Sequence, residues 1–75
     1  MIFETVRDTL ASQFEIDPET ITPDTDLVDD IGADSLDVVE LIMSLEDIYG
    51  ITVSDDEAAN LTTVAKICEY IEREQ

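Results

Sequence analysis

The stretch Gly32-Ala33-Asp34-Ser35-Leu36-Asp37 holds the residues best placed for chemistry: one hydroxyl between two carboxylates, after a small and flexible pair. A nucleophilic serine needs an adjacent base and donors for an oxyanion. The chain has no histidine, a single lysine that is remote in sequence, and no G-x-S-x-G segment. Hydrolase chemistry is therefore disfavoured. Two readings of Ser35 remain. Serine and aspartate are ordinary helix caps, and a cap needs no further role. Alternatively, Ser35 is an attachment point. A hydroxyl at a helix start is accessible to a modifying enzyme, and a phosphodiester there would meet free backbone N–H groups and the positive end of the helix. Asp34 and Asp37 would oppose that charge, so the attachment would have to be covalent.

The elements that must position this motif follow from periodicity. Phe3, Val6, Leu10 and Phe14 recur at helical spacing and predict an amphipathic helix over roughly residues 2–14. Residues 15–33 read mostly as loop. Asp17-Pro18 suits a short capped turn, and Thr22-Pro23 stops a continuing helix. Ile16, Ile21, Leu27, Val28 and Ile31 are expected to pin this long loop to the core. A second helix is expected over residues 34–49, with Asp34 as cap, Asp37 three residues on, and Gly50 ending it in the left-handed conformation. DDEAAN reads as a short helix with acids in its first turn. Thr62 or Thr63 then caps a last helix with Val64, Ile67, Cys68 and Ile71 on one face. The predicted fold class is all-α: a small four-helix bundle with a long first loop and a short third helix.

The second helix carries two apolar faces. Advancing about 100° per residue from Leu36, the residues Val38, Leu41, Ile42, Leu45, Ile48 and Tyr49 share a stripe about 120° wide that suits a core. Leu36, Val39 and Met43 cluster on the opposite side, flanked by Glu40, Glu46 and Asp47 with Asp37 close by. An apolar strip rimmed by acids fits a docking surface for a basic partner, and burial on both sides is the competing reading. Capping alone accounts for Ser35 but not for this strip.

The totals narrow the function classes. Twenty acidic residues against three basic ones (Arg7, Lys66 and Arg73) give a formal net charge of −17. That charge argues against nucleic acid and against anionic membranes, both of which need lysine and arginine. It also favours a monomer, through repulsion between copies. The acidity alone would suit a disordered chain, but 44% hydrophobic residues in periodic order argue for a folded one. A length of 75 residues allows one small domain with a thin core. No stretch reads as a signal peptide or membrane span, and lone Cys68 has no internal disulfide partner, so a cytoplasmic location is expected. Asp24 and Asp26 open an EF-hand-like spacing, but Asp29 stands where glycine is needed and Ser35 where glutamate is needed, so no specific metal site is expected.

GADSLD, the acidic helix within DDIGADSLDVVELIMSLEDIYGI and the closing DDEAANLTTVAKICEYI together resemble acyl carrier proteins, most closely the free-standing type of bacterial fatty acid synthesis. The resemblance covers essentially the whole chain and implies a single acyl carrier domain over residues 1–75. It implies that Ser35 bears 4′-phosphopantetheine, transferred from coenzyme A by a holo-synthase, a phosphopantetheinyl transferase. Growing acyl chains would ride on that arm as thioesters, and the carrier itself would not be a catalyst. It implies docking of fatty acid synthesis enzymes with basic patches onto Asp34, Leu36, Asp37, Val39, Glu40, Met43, Glu46 and Asp47. It further implies an acyl-chain pocket lined by Val28, Val53, Ala58, Leu61, Ile67 and Tyr70, for which ordinary core packing is the competing reading. Two positions depart from the family pattern. Ser54 stands where many members have proline, which suggests a looser start to the short helix, and Cys68 replaces an expected aliphatic residue. A carrier of polyketide or another secondary acyl pathway is the nearest alternative, and an acidic interaction module without a prosthetic group is a more distant one. Polyketide carriers often depart from GADSLD and have a less acidic recognition helix, so fatty acid synthesis leads.

Overall fold

The computed structural model describes residues 2–75. Four α-helices follow one another: α1 (Ile2–Phe14), α2 (Ser35–Tyr49), α3 (Asp55–Ala58) and α4 (Val64–Glu74). A single 3-10 turn, Pro18–Thr20, lies in the loop before α2. No strand is present among the described residues. Among the same residues the only β-type pairing is an isolated bridge between Asp26 and Thr63. Asp17 caps the 3-10 turn by accepting from the Glu19 N–H, with Pro18 at its start, as the local chemistry predicts.

Helices α1, α2 and α4 bury most of the stripe that their spacing prescribes. Val6 and Leu10 of α1, Leu41 and Leu45 of α2, and Val64, Ile67 and Ile71 of α4 form the centre of one core. Helix α1 packs chiefly against α4 and then against α2. Val38, Tyr49 and Cys68 are partly buried at the margin of that core. Burial, with Glu72 and Glu69 adding to it, pushes the Cys68 thiol pKa up, as suits a half-buried apolar side chain.

The long loop is ordered because its backbone is stitched to the start of α4. The Leu27 N–H donates to the Thr62 carbonyl at 2.9 Å, the Val64 N–H to Thr25 at 3.1 Å, and the Ala65 N–H to Pro23 at 2.8 Å. Buried Thr25 is satisfied internally, its hydroxyl accepting from the Thr22 N–H at 2.9 Å. Ile21 and Leu27 are buried, and Ile16 and Ile31 pack partly against the core. Thr63, rather than Thr62, caps α4. Gly50 ends α2 with φ 65°, a left-handed conformation that costs glycine little.

Two expectations are corrected. Val28 does not pin the loop, being 55% exposed. Residues 26–32 curl into a tight turn, in which Asp26 Oδ1 accepts from the Val28 and Asp29 N–H groups and the Gly32 N–H donates to the Val28 carbonyl. Leu27 takes the inner side of that turn, so its neighbour faces out. Ile48 does not belong to the core stripe of α2 and is 53% exposed. It sits at the edge of the stripe, about 120° from Leu36, where the facing residues of α1 are polar and leave a groove lined by Asp8, Thr9 and Ser12.

The contrast between stripe and edge is testable. Leu41→Ala should lower stability by about 2–5 kcal/mol in urea unfolding, as for a fully buried leucine. Ile48→Ala should stay within about 0.5 kcal/mol of the parent. A large loss at Ile48 would contradict its exposed placement.

Candidate functional site

Ser35 is the first residue of α2, and the residues around it close the helix start without it. Asp34 is the cap: its Oδ1 accepts from the Asp37 N–H at 2.9 Å. Asp37 answers, its Oδ2 accepting from the Asp34 N–H at 3.1 Å. This reciprocal pair satisfies two amides that the helix cannot satisfy itself. The Ser35 hydroxyl has no hydrogen-bond partner among the described residues, and the residue is exposed. The capping reading of the serine therefore fails, since aspartates do that work.

Two anchors fix this helix start in space. Ala33 is buried and donates its N–H to the Leu27 carbonyl at 2.9 Å. Gly32 before it adopts φ 79°, a turn that a side chain would strain although a Cβ would meet nothing within 4 Å. From the other side, Gln13 Nε2 of α1 donates to the Asp37 carbonyl at 2.8 Å. This tie spans 24 residues of sequence and carries no local signal, so sequence reasoning missed it.

The expected docking residues divide. Leu36 at 73%, Met43 at 57% and Val39 at 48% exposure form an apolar strip open to solvent, with Glu40 and Asp47 exposed beside it. Asp34 and Asp37 are engaged in the cap. Glu46 is half-buried, and its Oε2 accepts from the Val53 N–H at 2.8 Å, holding the segment after α2.

The expected acyl-pocket residues fall into two places. Val28, Ala58 and Leu61 line an open groove of about 650 Å³ that begins at Ser35 and runs between the loop, α2 and α3. Val53, Leu61, Ile67 and Tyr70 surround a separate internal void of about 10 Å³. Leu61 borders both. The Tyr70 hydroxyl donates to the Thr52 carbonyl at 3.1 Å across the far side of the void. Burial of the phenol, with Glu57 adding to it, pushes its pKa up. Ser54 caps α3 and also donates its hydroxyl to Glu57 Oε1 at 3.0 Å, so the expected looseness there is not what the geometry shows.

The surroundings of Ser35 suit a covalently held phosphodiester. The hydroxyl has no partner among the described residues, and the Ser35 and Leu36 N–H groups at the helix start donate to none of them. The acids on either side are held by their own hydrogen bonds and turned toward the cap. Among the described residues no group of three or more histidine, cysteine, aspartate or glutamate side chains is arranged to hold a metal ion. No helix among them is long and apolar enough to cross a membrane.

Comparison with known proteins agrees with this geometry. The sequence pattern of a family described as "Phosphopantetheine attachment site" matches residues 4–71. An acyl carrier protein of Campylobacter curvus is 42% identical over 72 residues, covering 96% of this chain and 94% of that protein. One from Campylobacter hominis is 44% identical over 71 residues, covering 95% and 90%. Among solved structures, an acyl carrier protein from Enterococcus faecalis superposes with a TM-score of 0.86 at 30% identity, over 99% of this chain and 94% of the other. With its helical bundle and its free hydroxyl at the start of α2, this chain belongs to the acyl carrier proteins, which bear acyl groups on covalently attached 4′-phosphopantetheine.

Proposed function

We propose that Ser35 is the residue that bears the arm, and that residues 1–75 act as one carrier domain in fatty acid synthesis. The observation that carries this is the free, exposed Ser35 hydroxyl at a helix start whose capping is complete without it. In loading, Ser35 Oγ gives its proton to a phosphopantetheinyl transferase and forms the new P–O bond, and the nucleotide part of coenzyme A leaves. The carrier contributes position and access, and the transferase contributes catalysis. The location that suits these partners is the cytoplasm.

Enzymes of the pathway dock on the strip Leu36, Val39 and Met43, with Glu40 and Asp47 drawing their basic patches. These two acids are exposed and have no ion pair among the described residues, where the one salt bridge joins Arg7 to Asp8. Asp34, Asp37 and Glu46 add to the field of this face while their carboxylates stay engaged in the chain.

The groove beside Ser35 and the void beyond Leu61 outline a path for the acyl chain. At about 10 Å³ the void holds no more than one water-sized sphere, so a chain that enters must part α2 from α4. Segment 50–54 has no helix or strand of its own and is tied to Tyr70 by one hydrogen bond, which supports opening there.

Incubation with coenzyme A and a phosphopantetheinyl transferase should add one arm by intact mass, and Ser35→Ala should add none. Arm addition to Ser35→Ala, or none to the parent with several competent transferases, would overturn the assignment. Loading an octanoyl arm should move the methyl NMR signals of Val53, Leu61 and Ile67 while Val6 and Leu10 stay fixed. Unchanged Leu61 and Ile67 signals would place the chain outside the bundle.

A further inference from the structure

Leu61 borders not only the Ser35 groove and the internal void but also a third space, an open groove of about 350 Å³ on the surface of α4. Its lining includes Asn60, Lys66, Glu69, Tyr70 and Arg73. Lys66 and Arg73 are two of the chain's three basic residues. They stand seven residues apart on α4, about two turns, and so share a face. Neither has an ion pair among the described residues, although the chain holds 20 acids. The Arg73 guanidinium lies over the Tyr70 ring, 5.3 Å from its centre. Lys66 Nζ donates to Thr62 Oγ1 at 3.3 Å, and Thr62 lines the groove that begins at Ser35. The cationic groove therefore adjoins the Ser35 groove at Leu61 and Thr62.

We propose that this groove binds the terminal carboxylate of a dicarboxylic acyl group carried on the arm of Ser35. The inference rests on the carrier reading above and adds to it a class of cargo and a site. Methylene groups of the cargo lie over Leu61, and the carboxylate meets Lys66 and Arg73. Glu69 also lines the groove and opposes an anion. One cation would only balance it, whereas two leave the groove positive. A free anion or an acidic partner protein is a poor occupant, because it must approach against a net charge of −17. A carboxylate delivered on the arm arrives at the high effective concentration of a tethered ligand, which offsets that repulsion. The third cation does not compete for it, since Arg7 is held by Asp8 at 2.9 Å and lies outside the groove.

The test compares the protein loaded with an adipoyl arm and with a hexanoyl arm, which differ only in ending on a carboxylate or a methyl group. Amide NMR shifts that distinguish the two forms should centre on residues 60–62 and 66–73. They should vanish in Lys66→Gln with Arg73→Gln and persist in Arg7→Gln. The adipoyl carboxyl, isotope-labelled, should titrate at lower pH in the parent than in the double variant, and Arg7→Gln should leave its titration unchanged. Loading without such shifts, or shifts that survive the double variant, would overturn the site and leave the carrier reading standing. Failure to load the parent at all would overturn the carrier reading and this inference with it. The same shifts on adding free adipate to the hexanoyl form would make the groove a general anion site and overturn the cargo assignment. Lys66 and Arg73 are exposed, so their replacement should leave the fold intact, and the spectrum of the hexanoyl form checks it. If the double variant unfolds, Lys66→Gln alone makes the same comparison.

Discussion

The reciprocal hydrogen bonds between Asp34 and Asp37 are the constraint on which the rest of the site depends. A helix start leaves backbone donors without partners, and something must satisfy them. In this chain two carboxylates do so, one from before the helix and one from its first turn. The residue between them is thereby released from structural duty. A serine in that place would otherwise be the ordinary cap, and a hydroxyl spent on capping would be less accessible to a modifying enzyme. The same carboxylates keep negative charge near the attachment point. An attached phosphodiester therefore gains little electrostatic hold there, and a covalent bond rather than ionic retention is the chemistry that suits the place.

The surrounding architecture serves this position. Hydrogen bonds from Leu27, Val64 and Ala65 hold the long loop against the start of α4, and Ala33 is buried at its end. The loop therefore delivers Ser35 to a defined place without burying it. From the opposite side Gln13 holds the first turn of α2. Behind this frame α2 uses one face for the core and leaves another to solvent. A chain with so much like charge gains from such a division, because exposed acids stay hydrated while only apolar residues enter the thin core.

Much of this was legible in the sequence, for stated physical reasons. Periodicity located α1, α2 and α4, and Asp34, Gly50 and the Thr62-Thr63 pair marked their ends closely, the structure choosing Thr63 of the pair. The wheel separated Leu36, Val39 and Met43 from the core because helical geometry leaves little freedom within one element. What escaped depends on how elements meet. Ile48 has core spacing but lies at the edge of its stripe, and only the placement of α1 decides whether an edge is covered. Val28 faces out because a turn held by Asp26 gives the inner side to Leu27. The Gln13 tie, the Glu46 hold on Val53 and the Tyr70 bond to Thr52 join residues distant in sequence, and no local pattern announces them. Glu46 shows the cost of reading charge alone: an acid assigned to a partner is committed to the chain's own backbone.

Amide hydrogen exchange at Asp37 distinguishes a helix start capped by aspartates, with the serine left free, from one capped by the serine. The Asp37 N–H should be protected in the parent, Ser35→Ala should leave this protection unchanged, and Asp34→Ala should remove it. If Ser35→Ala removed the protection and Asp34→Ala did not, the serine would be the cap, and the separation of roles at the start of α2 would be wrong.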